Sequence, residues 1–246
     1  MKKRLDLLLV EKGLVSSREK AQAFIMEGRV FVNGKAVLKA GTLVQEEDGI
    51  ELLGEEKFVS RAGYKLENAI KEFDVDVSEK ICLDIGSSTG GFTDCLLQYG
   101  AKLVYAVDVG HLQMHEKLRK DPRVMLFEDT DIRVFKKPDD IDFDIVTVDV
   151  SFISLEKIGE HIKNLCSYYT KLLMLVKPQF ELSPKYLKKG IVKDESARLM
   201  ALESVISHFE SIGFELLAYT KARPKGTKGN EEFFTYFMLK DYNKTK

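Results

Sequence analysis

From residue 80 onward the chain alternates short apolar runs with stretches of helical spacing, and this alternation constrains the fold more than any other feature. Strand-like runs fall at 81–85, 102–108, 124–128, 143–149, 171–177, 214–220 and 233–239, with helical stretches at 64–72, 91–99, 154–166 and 194–211. Such an order predicts an α/β fold with a parallel or mostly parallel sheet and ligands at the carboxyl ends of its strands. At 246 residues the chain has room for this domain and for a small one of about 60 residues besides.

The first 60 residues are built differently. The chain's net charge of −1 hides a dipole, because residues 1–40 carry a net +5 and residues 41–60 a net −5. The basic part lies in patterned sequence. Arg4 to Lys12 places Leu5, Leu8 and Leu9 at helical spacing and stops at Gly13. Ser16 and Glu19 then form a capping box ahead of a helix carrying Ala21, Phe24 and Ile25, which Gly28 ends. Arg29 to Val37 reads as a hairpin around Asn33-Gly34, and residues 51–60 as a linker or a last strand. The run RLDLLLVEKGLVSSREKAQAFIMEGRVFVNGK resembles the S4 RNA-binding domain over residues 3–50. That resemblance implies a small N-terminal α+β domain, residues 1–59, ahead of a second domain, residues 60–246. It also implies Arg4, Arg18, Lys20, Arg29 and Lys35 as phosphate contacts.

In the second domain the first strand ends in Asp84-Ile85-Gly86-Ser87-Ser88-Thr89-Gly90-Gly91-Phe92 and runs directly into a helix. Glycines there let backbone approach a ligand at a helix N-terminus. The spacing is not that of a dinucleotide fold, and Asp84 favours a cationic ligand. Asp108, ending the second strand, can take both hydroxyls of a ribose, and Asp131, after the third, can meet an adenine amino group. Adenosine, ribose and a cationic sulfonium amino acid together describe S-adenosylmethionine. The candidate cofactor residues are therefore Asp84, Gly86, Ser87, Ser88, Gly90, Gly91, Phe92, Asp108, Asp131 and Asp149.

Four further ionisable groups stand where the strands and helices of this domain begin or end: Lys65, Asp149, Lys177 and Glu232. Charges at such places are costly to bury unless paired, so their convergence describes a compensated network in one crevice. The segments VSRAGYKLE, LDIGSSTGGFTD, VDVG, VDVSFISL, LVKPQFE, GIVKD and GNEEFF resemble, in order and spacing, the hemolysin A (TlyA) family: an S4 domain followed by an FtsJ-type ribosomal RNA 2′-O-methyltransferase. The resemblance implies a Rossmann-like sheet, S-adenosylmethionine as cofactor, and cytidine ribose of 23S or 16S ribosomal RNA as substrate, with ribosomal subunits as partners. It places a catalytic Lys-Asp-Lys-Glu tetrad at Lys65, Asp149, Lys177 and Glu232, although Glu231 is an adjacent alternative on the opposite face and only one of the two can serve. Lys177 is the candidate base, oriented by Asp149 and Glu232. No metal is expected, because the sulfonium is itself the activated leaving group. Arg61 and Lys189 join the candidate RNA contacts, Lys189 in a lysine-rich loop from Pro178 to Lys193 that includes Lys185, Lys188 and Lys193.

Other functional classes find less support. Cys82, Cys95 and Cys166 are odd in number and lack paired spacing, which speaks against a disulfide framework or zinc knuckle and for a reducing, cytoplasmic setting. The N-terminal apolar run, Leu7 to Val10, is too short for a signal peptide, and no segment approaches the roughly 20 apolar residues of a membrane helix. His111, His115 and Glu116 lack metal-site order and read as surface or packing residues. Phe152, three residues past Asp149, is a candidate base-stacking group. The rival readings are an inert RNA-binding or ribosome-assembly factor, a pore-forming cytotoxin, and a base methyltransferase.

Overall fold

The structure is a computed structural model and describes residues 2–15, 17–52, 57–226 and 229–241. The chain divides into two compact units, Met1–Lys57 and Phe58–Lys246. Phe58 and Val59, assigned by sequence to the first domain, pack with the second. Phe58 is buried in the second unit's core and the Val59 amide donates to Asp94 (2.8 Å).

In the first unit, β1 (Lys2–Arg4) leads into α1 (Leu5–Glu11) and then α2 (Arg18–Met26). Leu5, Leu8 and Leu9 of α1 pack on Ala21, Phe24 and Ile25 of α2, as their helical spacing requires. Arg4 closes the strand, so the helix begins one residue later than its sequence suggests. Ser17 caps α2 by accepting from the Lys20 amide (3.2 Å); Ser16, expected as the cap, lies outside the described residues. Asn33 and Gly34 both take positive φ, 50° and 74°, the geometry of a tight hairpin turn between β2 (Val30–Val32) and β3 (Lys35–Ala36). Two further strands complete the unit: β4 (Leu43–Gln45) pairs with β1, and β5 (Ile50–Leu52) pairs with β2.

The second unit opens with α3 (Arg61–Glu72), then β6 (Ile81–Ile85), α4 (Gly91–Gln98), β7 (Leu103–Val107), α5 (Glu116–Arg119) and β8 (Val124–Phe127). β9 (Ile145–Val148), a 3-10 turn (Leu155–Ile158) with α6 (Gly159–Leu165), β10 (Lys171–Val176), α7 (Pro178–Glu181), α8 (Glu195–Ser211), β11 (Phe214–Lys221) and β12 (Phe233–Leu239) follow. Seven strands form one sheet in the order β11-β12-β10-β9-β6-β7-β8. The five strands from β10 to β8 are parallel to one another, whereas β12 runs antiparallel to both of its neighbours. Alternate strand residues feed opposite faces: Cys82, Val104, Ile145 and Leu173 pack with α3 and α4, while Leu83, Tyr105, Val146 and Leu172 pack with α6 and α8.

Two consequences of this topology position the site. The order of connection reverses at β6, so a crevice opens beyond the carboxyl ends of β6, β7 and β9. Because β12 is reversed, with Phe233 opposite Val176, its first residues lie at the same sheet edge as the last residues of β10.

Candidate active site

Two cavities lie at that edge. The first, about 350 Å³, is lined by Gly86, Ser88, Asp108, Gln113, Asp131 and Asp149 among others. The second, about 570 Å³, is lined by Arg61, Lys65, Asp149, Lys177, Gln179 and Glu232 among others. Asp149, Ser151 and Phe152 border both.

The turn after β6 floors the first cavity. Gly86, Ser88 and Gly90 take φ of 82°, 47° and 93°, and both the Gly86 and Ser87 amides donate to the Val107 carbonyl (2.8 and 3.2 Å). A Cβ on Gly86 would lie 2.8 Å from the Asp149 carbonyl oxygen, so only glycine lets these two segments meet. Asp108 is oriented by the Ser88 amide (2.8 Å) and the Gly110 amide (2.6 Å). Asp131 is gripped by Arg133, whose guanidinium holds its carboxyl down at about 2, so it faces the cavity ionised at neutral pH.

Asp84 differs from its sequence-based placement. Strand alternation turns it beneath α4, fully buried, where it accepts from the Thr93 hydroxyl (2.7 Å) and the Thr147 hydroxyl (3.1 Å). Burial pushes its carboxyl up to about 7. Asp84, Ser87, Gly90, Gly91 and Phe92 do not border the cavity; they build the turn from below, with Phe92 packed against Phe234.

The second cavity brings together all four residues of the expected tetrad. Lys65 Nζ is 2.6 Å from Glu232 Oε2, and Gln179 Nε2 donates to Glu232 Oε1 (3.0 Å). Lys177 Nζ donates to Ser151 Oγ (2.9 Å) and lies 2.7 Å from Asp149 Oδ1. That last contact is an ion pair held inside the cavity wall. Burial raises the Asp149 carboxyl, against the pull of Lys177. Glu231 faces away and pairs with Arg198 (3.0 Å) and Lys225 (2.9 Å).

Phe152 is 91% exposed and holds φ at 64°, a strained setting for a bulky residue. Its ring leans on Phe180, with centroids 4.9 Å apart. Beside it the lysine-rich loop is pinned. Asn230 donates to the Gly190 carbonyl (3.0 Å) and accepts from the Val192 amide (3.3 Å), while Arg198 donates to the carbonyls of Val192 and Lys193. Lys185, Lys188, Lys189 and Lys193 are exposed, as is Arg61 at the cavity wall. Ser151, Gln179 and Asn230 were not singled out by sequence, although Ser151 and Gln179 each stand two residues beyond a tetrad member.

In the first unit Arg4, Arg18, Lys20 and Lys35 are exposed. Arg29 is not presented outward: its side chain is 11% exposed, stacked 3.8 Å above the Phe24 ring and 3.5 Å from Glu27. His111 pairs with Asp129 (2.7 Å) and His115 accepts from the Lys117 amide, and the described residues hold no group of three potential metal ligands. Cys82, Cys95 and Cys166 are free thiols. Among the described residues no helix is long and apolar enough to cross a membrane.

A seven-stranded sheet with one reversed strand, a glycine turn after β6 and a carboxylate after β7 define the fold of S-adenosylmethionine-dependent methyltransferases. The sequence pattern of the FtsJ-like methyltransferases matches residues 58–238 and that of the S4 domain residues 3–50. The chain belongs to the FtsJ-like methyltransferase family and carries an S4 domain ahead of the methyltransferase unit. It is 45% identical over 240 residues to Hemolysin A of Brachyspira hyodysenteriae, covering 96% of this chain and 100% of that one. It is 38% identical over 249 residues to the 23S rRNA (cytidine-2′-O)-methyltransferase TlyA of Campylobacter jejuni, covering 93% and 97%. A solved structure described as a hemolysin from Streptococcus thermophilus superposes with a TM-score of 0.76 at 38% identity, over 98% of this chain and 89% of that one.

Proposed function

We propose that this protein methylates the 2′-hydroxyl of a ribose in ribosomal RNA, cytidine being the nucleotide named for the Campylobacter relative. The observation that carries this reading is the meeting of two cavities at Asp149, one suited to a nucleoside cofactor and one holding a lysine-acid network. The first fits S-adenosylmethionine: its volume is that of a small-molecule site, Asp108 lines it with a carboxylate fixed by two backbone amides and suited to a ribose diol, and ionised Asp131 can accept from an amino group. Asp84, Ser87, Gly90, Gly91 and Phe92 serve that site by shaping the turn. When bound, this cofactor supplies an activated methyl group.

The chain's residues then position and deprotonate the hydroxyl. Lys177 is the group placed to steer the hydroxyl and take its proton as the oxygen attacks. Asp149 and Ser151 aim the amine, and Glu232, held by Lys65 and Gln179, keeps the charge in the cavity balanced. Phe152 offers the target base a stacking face. Arg4, Arg18, Lys20 and Lys35 of the S4 unit, with Arg61 and Lys189, supply phosphate contacts.

Alkaline hydrolysis of RNA labelled by the enzyme tests the reaction type, because a methylated 2′-oxygen cannot cleave its own phosphodiester. Label recovered in alkali-resistant dinucleotides is expected. Label in mononucleotides alone would make the enzyme a base methyltransferase.

A further inference from the structure

Asp6 on α1 is fully buried, yet its carboxylate serves side chains that reach the surface. Arg4 donates to it twice, through Nε to Oδ1 (3.0 Å) and through a terminal nitrogen to Oδ2 (2.9 Å). Arg18 Nε and Gln22 Nε2, one turn apart on α2, both donate to Oδ2 at 3.0 Å. These bonds, Arg4 foremost, hold the carboxyl well below its usual range despite burial. The Arg4 and Arg18 side chains remain 44% and 49% exposed. Among the described residues Arg18 meets the carboxylate only through Nε, so the outer edge of its guanidinium stays available to another acceptor.

We propose that Asp6 is a positioning residue of the RNA-binding face, a buried anion that fixes Arg4 and Arg18 as a preoriented pair of phosphate-binding forks. The inference rests on the reading of this face as the RNA contact. Its physical content is that orientation outweighs charge. Without Asp6 the local charge rises by one, and counterion release alone would then tighten RNA binding. Positioning demands the opposite sign, because two long side chains must be ordered at the moment of binding.

The test measures affinity of the full chain for deproteinised 23S and 16S ribosomal RNA from about 50 to 200 mM KCl. Asp6→Asn is expected to bind about tenfold more weakly, the cost of ordering two arginines on binding. Arg18→Lys keeps the charge but loses the planar fork, and is expected to bind a few-fold more weakly. Melting curves establish that each variant is folded, and Arg18→Lys decides the matter if Asp6→Asn is not. Unchanged or tighter binding by folded Asp6→Asn, with Arg18→Lys unchanged, overturns the inference while leaving the RNA face intact. Should an Arg4→Ala, Arg18→Ala double variant bind with the original affinity and salt slope, the RNA-face reading falls and the inference with it.

Discussion

Glu231 and Glu232 are chain neighbours that keep opposite company. Glu232 is buried against Lys65 and Gln179, whereas Glu231 meets Arg198 and Lys225 at the surface. Glu232→Gln is therefore expected to lower kcat about a hundredfold or more, and Glu231→Gln to change it by no more than a few-fold. Single-turnover methyl transfer by folded variants checks this, and the reverse order would exchange their roles. Asp84 makes a different prediction. Its folded-state value of about 7 lies above the ordinary aspartate value, so the folded protein holds a proton that the unfolded chain has lost. The stability this confers is present below about pH 4 and is lost as pH rises toward about 7, with a slope of at most about 1.4 kcal/mol per pH unit. Asp84→Asn should flatten that part of the curve in denaturant titrations; a slope unchanged by the substitution would contradict the assignment. Sequence identified Asp84 as notable but could not tell that strand alternation turns it under α4 instead of into the cavity. Arg29 is similar: its stacking on Phe24 depends on how the chain turns at Gly28.

At the scale of elements, the β6-α4 turn depends on its glycines. Gly86 combines a positive φ with a close approach to the Asp149 carbonyl. Gly86→Ala must displace one segment or the other, at about 1–3 kcal/mol of strain. Calorimetric titration with S-adenosylmethionine should show affinity falling about tenfold or more, and unchanged affinity would contradict this reading of the turn. The seven strands of the large sheet were legible because each is an apolar run bounded by polar residues. The reversal of β12 was not, since Phe233 to Leu239 has the same composition whichever way it runs. That reversal brings Glu232 to Lys177's end of the sheet. Helix boundaries were blurred where termini are polar: α3 begins at Arg61, three residues before its apolar spacing becomes visible, and α2 is capped by Ser17, one residue after the serine whose spacing to Glu19 suggests the cap.

The whole molecule is two units with separate cores, one gathered around Leu5, Leu9 and Ile25, the other on both faces of the large sheet. Calorimetry is expected to resolve two unfolding transitions. S-adenosylmethionine at about 100 times its Kd should stabilise only the transition of the methyltransferase unit, by about 2.7 kcal/mol. A single transition that shifts as a whole would show that the units unfold together. That Lys65, Asp149, Lys177 and Glu232 share one crevice was expected from sequence, but their pairing, Lys177 with Asp149 and Glu232 with Lys65 instead of Lys177, required the sheet order that joins the strand ends. The central claim is that this network transfers a methyl group to ribosomal RNA ribose. Its most direct test is transfer of tritiated methyl from S-adenosylmethionine to purified 30S and 50S subunits lacking the modification, by the unaltered protein and by Lys177→Ala, with nucleoside analysis. The account predicts label in a 2′-O-methyl nucleoside from the unaltered protein, and its loss in Lys177→Ala with cofactor binding retained. Equal labelling by both proteins, or label confined to a base, would contradict it.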